Sequence, residues 1–177
     1  ALSARAEDAM KRSTLPRYYF DLMRALEAHA TDDTPWTPAV SLVTGLDIAL
    51  QAILGEGLES VWARHLKLAS ALRAGVRGMG LQLASESPSA AVTAIRLPDG
   101  VEWKSFNRTL DEEYGVVAAG GQGPWKGKIF RISHLGYYDE LDMVTVTAAL
   151  ERALSDCGFR VKPGVGVKAV QEEYAAA

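Results

Sequence analysis

The residues best able to do chemistry lie in one stretch, Ala118 to Gly136, where a short apolar run enters a glycine-rich segment and leaves as Ile129-Phe130-Arg131-Ile132-Ser133. That pattern calls for β-branched or aromatic residues, and Arg131 interrupts it. An arginine in such company has apolar surroundings for its methylenes and a guanidinium that must find water or an anion. Its planar fork suits bidentate pairing with a carboxylate or a phosphate. On pattern alone, an outward-facing arginine on a half-solvated strand is the commoner case, since most charged residues in strands face water. The cluster Gly120, Gly121 and Gly123 permits positive φ and close backbone approach, so it reads as a tight reversal between two strands.

Other reactive side chains are scattered. His29, His65 and His134 sit on separate elements without ligand spacing, so no metal site is expected. His65 falls on the apolar face of its helix and reads as a core histidine. Ser133 and His134 are neighbours in a strand, point to opposite faces and cannot pair as nucleophile and base. The glycine cluster lacks the G-x-G-x-x-G spacing and opens no helix, so it is no dinucleotide fingerprint. Cys157, the single cysteine, gives no sign of a reactive thiol and fits a reducing compartment.

The elements that must position Arg131 follow from periodicity. The chain has 177 residues, 48% apolar and 23% charged, with a formal charge of −3. Those values fit one domain, or a small domain plus an arm, and give no reason to expect nucleic acid or an anionic membrane as partner. No apolar run approaches the ~20 residues of a spanning helix. With no targeting segment visible, a cytoplasmic location is expected.

Ser3 caps a short first helix, and Pro16 suits the first turn of a second carrying Tyr19, Leu22, Met23 and Leu26. Pro35 and Pro38 make an extended connector, after which Thr37 can cap a helix with Pro38 at its first position. Pro38 to Gly55 is apolar almost all round, which predicts burial against a domain or a partner chain. Leu58 to Met79 reads as an amphipathic helix with Leu58, Val61, Trp62, His65, Leu66, Ala69, Leu72 and Val76 on one face. Strands are expected over Leu81–Leu83 and Ala91–Leu97, then a helix over Val101–Tyr114, two strands around the glycine cluster and a helix from Asp139 to Leu154. Val167 to Ala177 reads as a short polar tail, with a helix left open. The order predicts an α+β fold in which a small antiparallel sheet carries helices on one face, preceded by a helical arm and a long linking helix. The expected divisions are an arm at 1–56, a small α+β domain at 57–160 and a tail at 161–177.

Three stretches give this chain a family resemblance: Thr34-Pro-Trp-Thr-Pro-Ala-Val-Ser-Leu, Glu56-Gly-Leu-Glu-Ser-Val-Trp-Ala-Arg-His, and Ala119-Gly-Gly-Gln-Gly followed by Lys126-Gly-Lys-Ile-Phe-Arg-Ile-Ser-His-Leu-Gly. Together they resemble the C-terminal half of class V, pyridoxal-phosphate-dependent aminotransferases, closest to the alanine–glyoxylate and serine–glyoxylate branch. The resemblance implies the C-terminal domain of a fold type I transferase, acting on small amino acids and oxo acids as a homodimer with pyridoxal 5'-phosphate. It matches Arg131 to the substrate-carboxylate arginine and Thr37 to a threonine that reaches the cofactor phosphate of the neighbouring subunit. Thr34 stands where some relatives have a tyrosine at that phosphate. Gly120 and Gly121 match a turn beside the active site, where they are conformational.

The lysine that bonds the cofactor belongs to the half with no counterpart here. The chain alone is therefore expected to be silent. It is a piece of a transaminase, one chain of a split enzyme, or a stand-alone binding or assembly domain.

Overall fold

A computed structural model describes residues 2–176. The chain divides into two compact units, Ala1–Ala52 and Ile53–Ala177. In the first, α1 (Ala4–Arg12) begins where Ser3 Oγ accepts a hydrogen bond from the Ala6 amide at 3.3 Å. The next helix, α2 (Leu22–His29), starts six residues beyond Pro16, because Asp21 provides the stronger cap. Its carboxylate accepts from the Met23 amide at 3.1 Å and pairs with Arg17 at 3.2 Å, which hold it below the usual carboxylate range against the opposing pull of desolvation. Tyr19 is thus outside the helix and packs with Tyr18 and Trp36, at centroid distances of 5.5 and 4.8 Å. Helix α3 (Val40–Glu56) is apolar almost all round, yet none of its residues is buried.

The second unit takes in the last residues of α3, from Ile53, then α4 (Leu58–Gly78), entered through Gly57 at φ +87°. It continues through β1 (Val92–Arg96), α5 (Trp103–Glu112), β2 (Ala119–Gly120), β3 (Ile129–Ser133), α6 (Glu140–Asp156) and α7 (Val165–Ala176). The strands form one antiparallel sheet in the order β1-β3-β2, so the arginine-bearing strand is central. Alternation sends Thr93, Ile95, Phe130 and Ile132 inward and leaves Ala94, Arg96, Arg131 and Ser133 on the other face. The inward residues meet Leu68, Leu72, Val76, Phe106, Leu110, Met143, Leu150 and Leu154 from the helices in one core. Each such aliphatic or aromatic side chain contributes about 1.5–3 kcal/mol on burial. The fold is therefore α+β, with helices on one face of a small antiparallel sheet, as the order of elements predicts.

Three features differ from the sequence reading. Leu81–Leu83 does not form a strand: Leu83 makes a single bridge to Ile95, and the segment runs beside β1 through bonds from Arg96 N to Gln82 O and from Ala84 N to Ala94 O. Leu58, Trp62 and Leu66 are exposed, because this unit's core uses only the Val61, His65, Leu68, Leu72 and Val76 side of α4.

The third difference concerns the C-terminal tail: it is helical, as its open reading allowed, but this helix, α7, packs against α4 and α6 with Val170 fully buried. Small residues make that approach possible. A Cβ on Gly75 would come within 2.7 Å of Val170 Cγ2, and one on Gly166 within 2.8 Å of Met79 Cγ. The start of α7 is closed from outside its own sequence. The buried carboxylate of Glu151, on α6, accepts from the amides of Gly164 at 2.7 Å, Gly166 at 2.5 Å and Val167 at 3.2 Å. An anion suits these free N–H groups at the positive end of the helix dipole.

Replacing Glu151 by Ala leaves the buried Gly166 amide, and the more open Gly164 and Val167 amides, without their acceptor, so the chain should lose on the order of 2 kcal/mol in denaturant unfolding. An unchanged midpoint would refute the capping role.

Candidate functional site

Arg131 occupies the middle of β3, flanked in register by Ala94 on β1 and Ala119 on β2. Two alanines beside it leave room for a long side chain to lie across the sheet face. Its Nη2 donates to the Gly120 carbonyl at 3.0 Å, and its Nε is buried with no hydrogen-bond partner. The guanidinium is thus tethered on one side by a strand carbonyl. It retains further N–H donors and forms no ion pair with Asp or Glu among the described residues. A partly buried cation so held is suited to an incoming carboxylate.

Gly120 and Gly121 are brought to this site, and they are needed for space rather than for positive φ. A Cβ on Gly121 would lie 2.1 Å from the Trp125 carbonyl oxygen, and one on Gly120 would lie 2.9 Å from the Trp103 indole. Only Gly123 of the cluster has positive φ, +53°. The connection to β3 is also longer than a tight hairpin: a 3₁₀ turn, Gly123–Trp125, intervenes. A 540 Å³ cavity beside the ends of β1 and β3, lined by Gln82, Arg96, Lys128 and Phe159, does not include Arg131. The arginine stands on the sheet face itself.

The loop that leaves β3 is fixed to α4 by two side chains. His65 Nδ1 lies 2.6 Å from the Val61 carbonyl, so it carries the proton, and Nε2 accepts from the Gly136 amide at 2.9 Å. Arg64 holds Glu56 through a two-pronged pair at 2.7 and 2.8 Å and donates from Nη1 to the carbonyls of Gly136 and Tyr138. Each partner shifts the other: the Arg64 pair keeps the Glu56 carboxyl below its usual range and raises the guanidinium. Sequence placed His65 correctly on a buried face, and Arg64 lies outside that apolar face. Nothing local signals that its acceptors lie more than seventy residues away.

Thr34 and Thr37 belong to the other unit. Thr34 Oγ1 donates to the Trp36 carbonyl at 2.7 Å, closing a turn, and its amide donates to Asp33 at 2.7 Å. Thr37 is exposed, and its hydroxyl makes no hydrogen bond among the described residues. It does not cap α3, and Pro38 is not that helix's first residue. The Val40 amide turns back to the Pro38 carbonyl, the helix begins at Val40, and its first regular bond runs from Val43 N to Ala39 O. Among the described residues no three His, Cys, Asp or Glu side chains gather as a metal-binding group, and no single helix is long and apolar enough to cross a membrane.

Comparison with known proteins gives consistent neighbours. The L-aspartate–glyoxylate aminotransferase of Paracoccus denitrificans is 37% identical over 175 residues, 97% of this chain and 44% of its own length. A protein named as the small subunit of a soluble hydrogenase, from a Synechococcus strain, is 37% identical over 180 residues, 100% of this chain and 47% of its own. The crystal structure of pyridoxamine–pyruvate aminotransferase from Mesorhizobium loti superposes with a TM-score of 0.86 at 38% identity, covering 99% of this chain and 46% of that one. The chain thus spans about half the length of the curated relatives it matches. No family model matches.

His134 gives this end of the sheet a pH signature. It is fully buried, and Nε2 lies 3.0 Å from the Thr93 hydroxyl, which itself accepts from Arg73 Nε at 3.2 Å. Burial, then the charge of Arg73 and a smaller contribution from His65, push its pKa down to about 4. An unfolded histidine takes up its proton near pH 6.5, so between these values the unfolded state binds more protons. Stability should therefore fall as pH drops from about 6.5 towards 4, by on the order of 3 kcal/mol, and level off below. Unfolding midpoints across that window test this, and a His134→Gln variant should lose that contribution to the slope.

Proposed function

This chain belongs to the class V aminotransferases of the alanine–glyoxylate and serine–glyoxylate type, and we propose that it forms the C-terminal portion of a pyridoxal-phosphate-dependent transaminase that moves an amino group from a small amino acid to a 2-oxo acid such as glyoxylate. Its sheet-and-helix unit has the fold of the C-terminal domain of fold type I aminotransferases. The observation that carries the reading is Arg131, a tethered and partly buried guanidinium without a carboxylate partner, on the open face of the sheet. In this reading Arg131 binds the substrate carboxylate with its remaining donors. Two parallel N–H bonds fix the plane of that carboxylate, and with it the direction of the substrate Cα–H bond. The benefit is orientation.

Pyridoxal phosphate, when bound, supplies the electron sink for the amino exchange. The residues present fit one end of it. Thr37 offers an exposed hydroxyl with no partner, ahead of the N-terminus of α3, where free amides and the dipole favour an anion. We assign Thr37 to the cofactor phosphate of a neighbouring subunit and Thr34 to the turn that presents it, since the Thr34 proton is already donated to Trp36. None of the seven lysines is buried; Lys67 pairs with Glu140 at 2.7 Å and Lys168 with Glu172 at 3.5 Å. In this reading the lysine that bonds the cofactor comes with the remaining polypeptide. That polypeptide, or a second subunit, also covers the apolar surface of α3. A hydrogenase role like that named for the Synechococcus relative would call on soft ligands for a redox metal, and Cys157 stands as the single cysteine, at the C-cap of α6.

In the complete enzyme, Arg131→Ala should lower kcat/KM for carboxylate-bearing substrates by roughly 100-fold, and an unchanged value would sink the assignment. The 177-residue chain on its own, mixed with pyridoxal phosphate, reduced with borohydride and mapped by peptide, should show no single lysine preferentially modified. Stoichiometric labelling of one lysine, with a retained visible band after dialysis, would mean that this chain holds the cofactor by itself.

A further inference from the structure

The position of the Arg131 guanidinium depends on one acceptor, the Gly120 carbonyl, and that carbonyl belongs to a weakly anchored strand. β2 contributes only Ala119 and Gly120 to the sheet, at its edge. A ladder this short does little to hold its own carbonyls in place, so something outside the sheet must seat it. The contact that does so is the indole of Trp103. Its Cε2 and Nε1 atoms lie 2.9 Å, and its Cζ2 atom 3.0 Å, from where a Gly120 Cβ would be, so the ring rests directly on the backbone of that residue.

Trp103 is itself held on three sides. It is the first residue of α5, whose N-terminus is closed by Glu102: the carboxylate accepts from the amides of Lys104 at 2.9 Å and Ser105 at 2.8 Å. The indole stacks on Phe130 at 6.4 Å and 17° and packs against Phe106 at 6.3 Å. Phe106 and Phe130 are fully buried and contact each other edge to face at 5.1 Å. Phe130 precedes Arg131 in β3 and is the register partner of Gly120. A rigid aromatic block therefore fixes both the strand that carries the guanidinium and the carbonyl that tethers it.

We propose that Trp103 is a positioning residue for substrate-carboxylate recognition. By seating Gly120 it sets the direction in which Arg131 presents its free donors. The inference rests on Arg131 being the carboxylate arginine, and it adds a residue on a different element, which touches neither substrate nor cofactor.

The test uses the complete cofactor-loaded enzyme and reads discrimination instead of overall rate. kcat/KM is measured for L-alanine and L-serine and for ethylamine and ethanolamine, the same molecules without the carboxylate. Trp103→Ala should lower the acid-to-amine ratio roughly 10-fold, chiefly through KM for the amino acid, because a guanidinium misplaced by a fraction of an ångström loses the aligned pair of bonds. Trp103→Phe, which keeps an aromatic ring against Phe130, should retain most of the ratio. In an Arg131→Ala background the Trp103→Ala change should have no further effect on it, since both remove the same interaction.

A merely structural role for the indole would slow acid and amine alike and leave the ratio where it was. That result, with Arg131→Ala still collapsing the ratio, overturns the proposal and leaves the Arg131 reading standing. A ratio unaffected by Arg131→Ala overturns both. Should Trp103→Ala fail to fold, Gly120→Ala presses on the same contact from the other side and should move the ratio in the same direction.

Discussion

A guanidinium in the central strand of a sheet is costly unless its buried N–H groups meet acceptors, and the second unit is arranged around that requirement. Arg131 is flanked in register by two alanines, is bonded to the Gly120 carbonyl and keeps one buried donor without a partner. Partial satisfaction is informative. A fully paired arginine would be structural, while a free one would be a mobile surface charge. This one is oriented by the protein and left incomplete, which is the condition an anionic ligand relieves.

The same economy of side chains recurs where helices meet. Gly75 and Gly166 let α7 approach α4 more closely than any side chain would permit, and Glu151 reaches from α6 to close the first turn of α7. Packing and capping are thus supplied from three separate helices. Likewise, the loop after β3 is held from α4 by His65 and Arg64. The sheet carries Arg131, and the helices hold the loop at the end of its strand.

Much of this was legible in the sequence where the cause is local. The interrupted run around Arg131, the buried face of α4 at His65 and the start of α6 at Asp139 all have their reasons within a few residues; Asp139 and Asp142 in fact form a reciprocal capping box. What escaped has distant causes. The docking of α7 is not legible locally, because its cap is Glu151, across a Pro/Gly segment. Arg64 looks solvated because its carbonyl partners lie beyond the sheet. Trp62 and Leu66 carry the right spacing for burial, but spacing cannot say whether the covering surface is part of the same unit. The glycine cluster suggested a tight turn, whereas Gly120 and Gly121 are short of side chains because Trp103 and Trp125 occupy the space. At Thr37 the proline signal was misleading by two positions, since Val40 bonds back to Pro38 before the helix begins.

The sheet also has little free edge to offer. On one side β2 is two residues long, and on the other the backbone of Gln82 and Ala84 already bonds to β1. Strand addition, the usual route by which small sheets recruit one another into fibres, finds no extended template here. The stickiness of this chain resides instead in helices, along α3 and the Trp62–Leu66 side of α4. Contacts made through such faces bury side chains without recruiting backbone hydrogen bonds, so shape sets which surface can cover them.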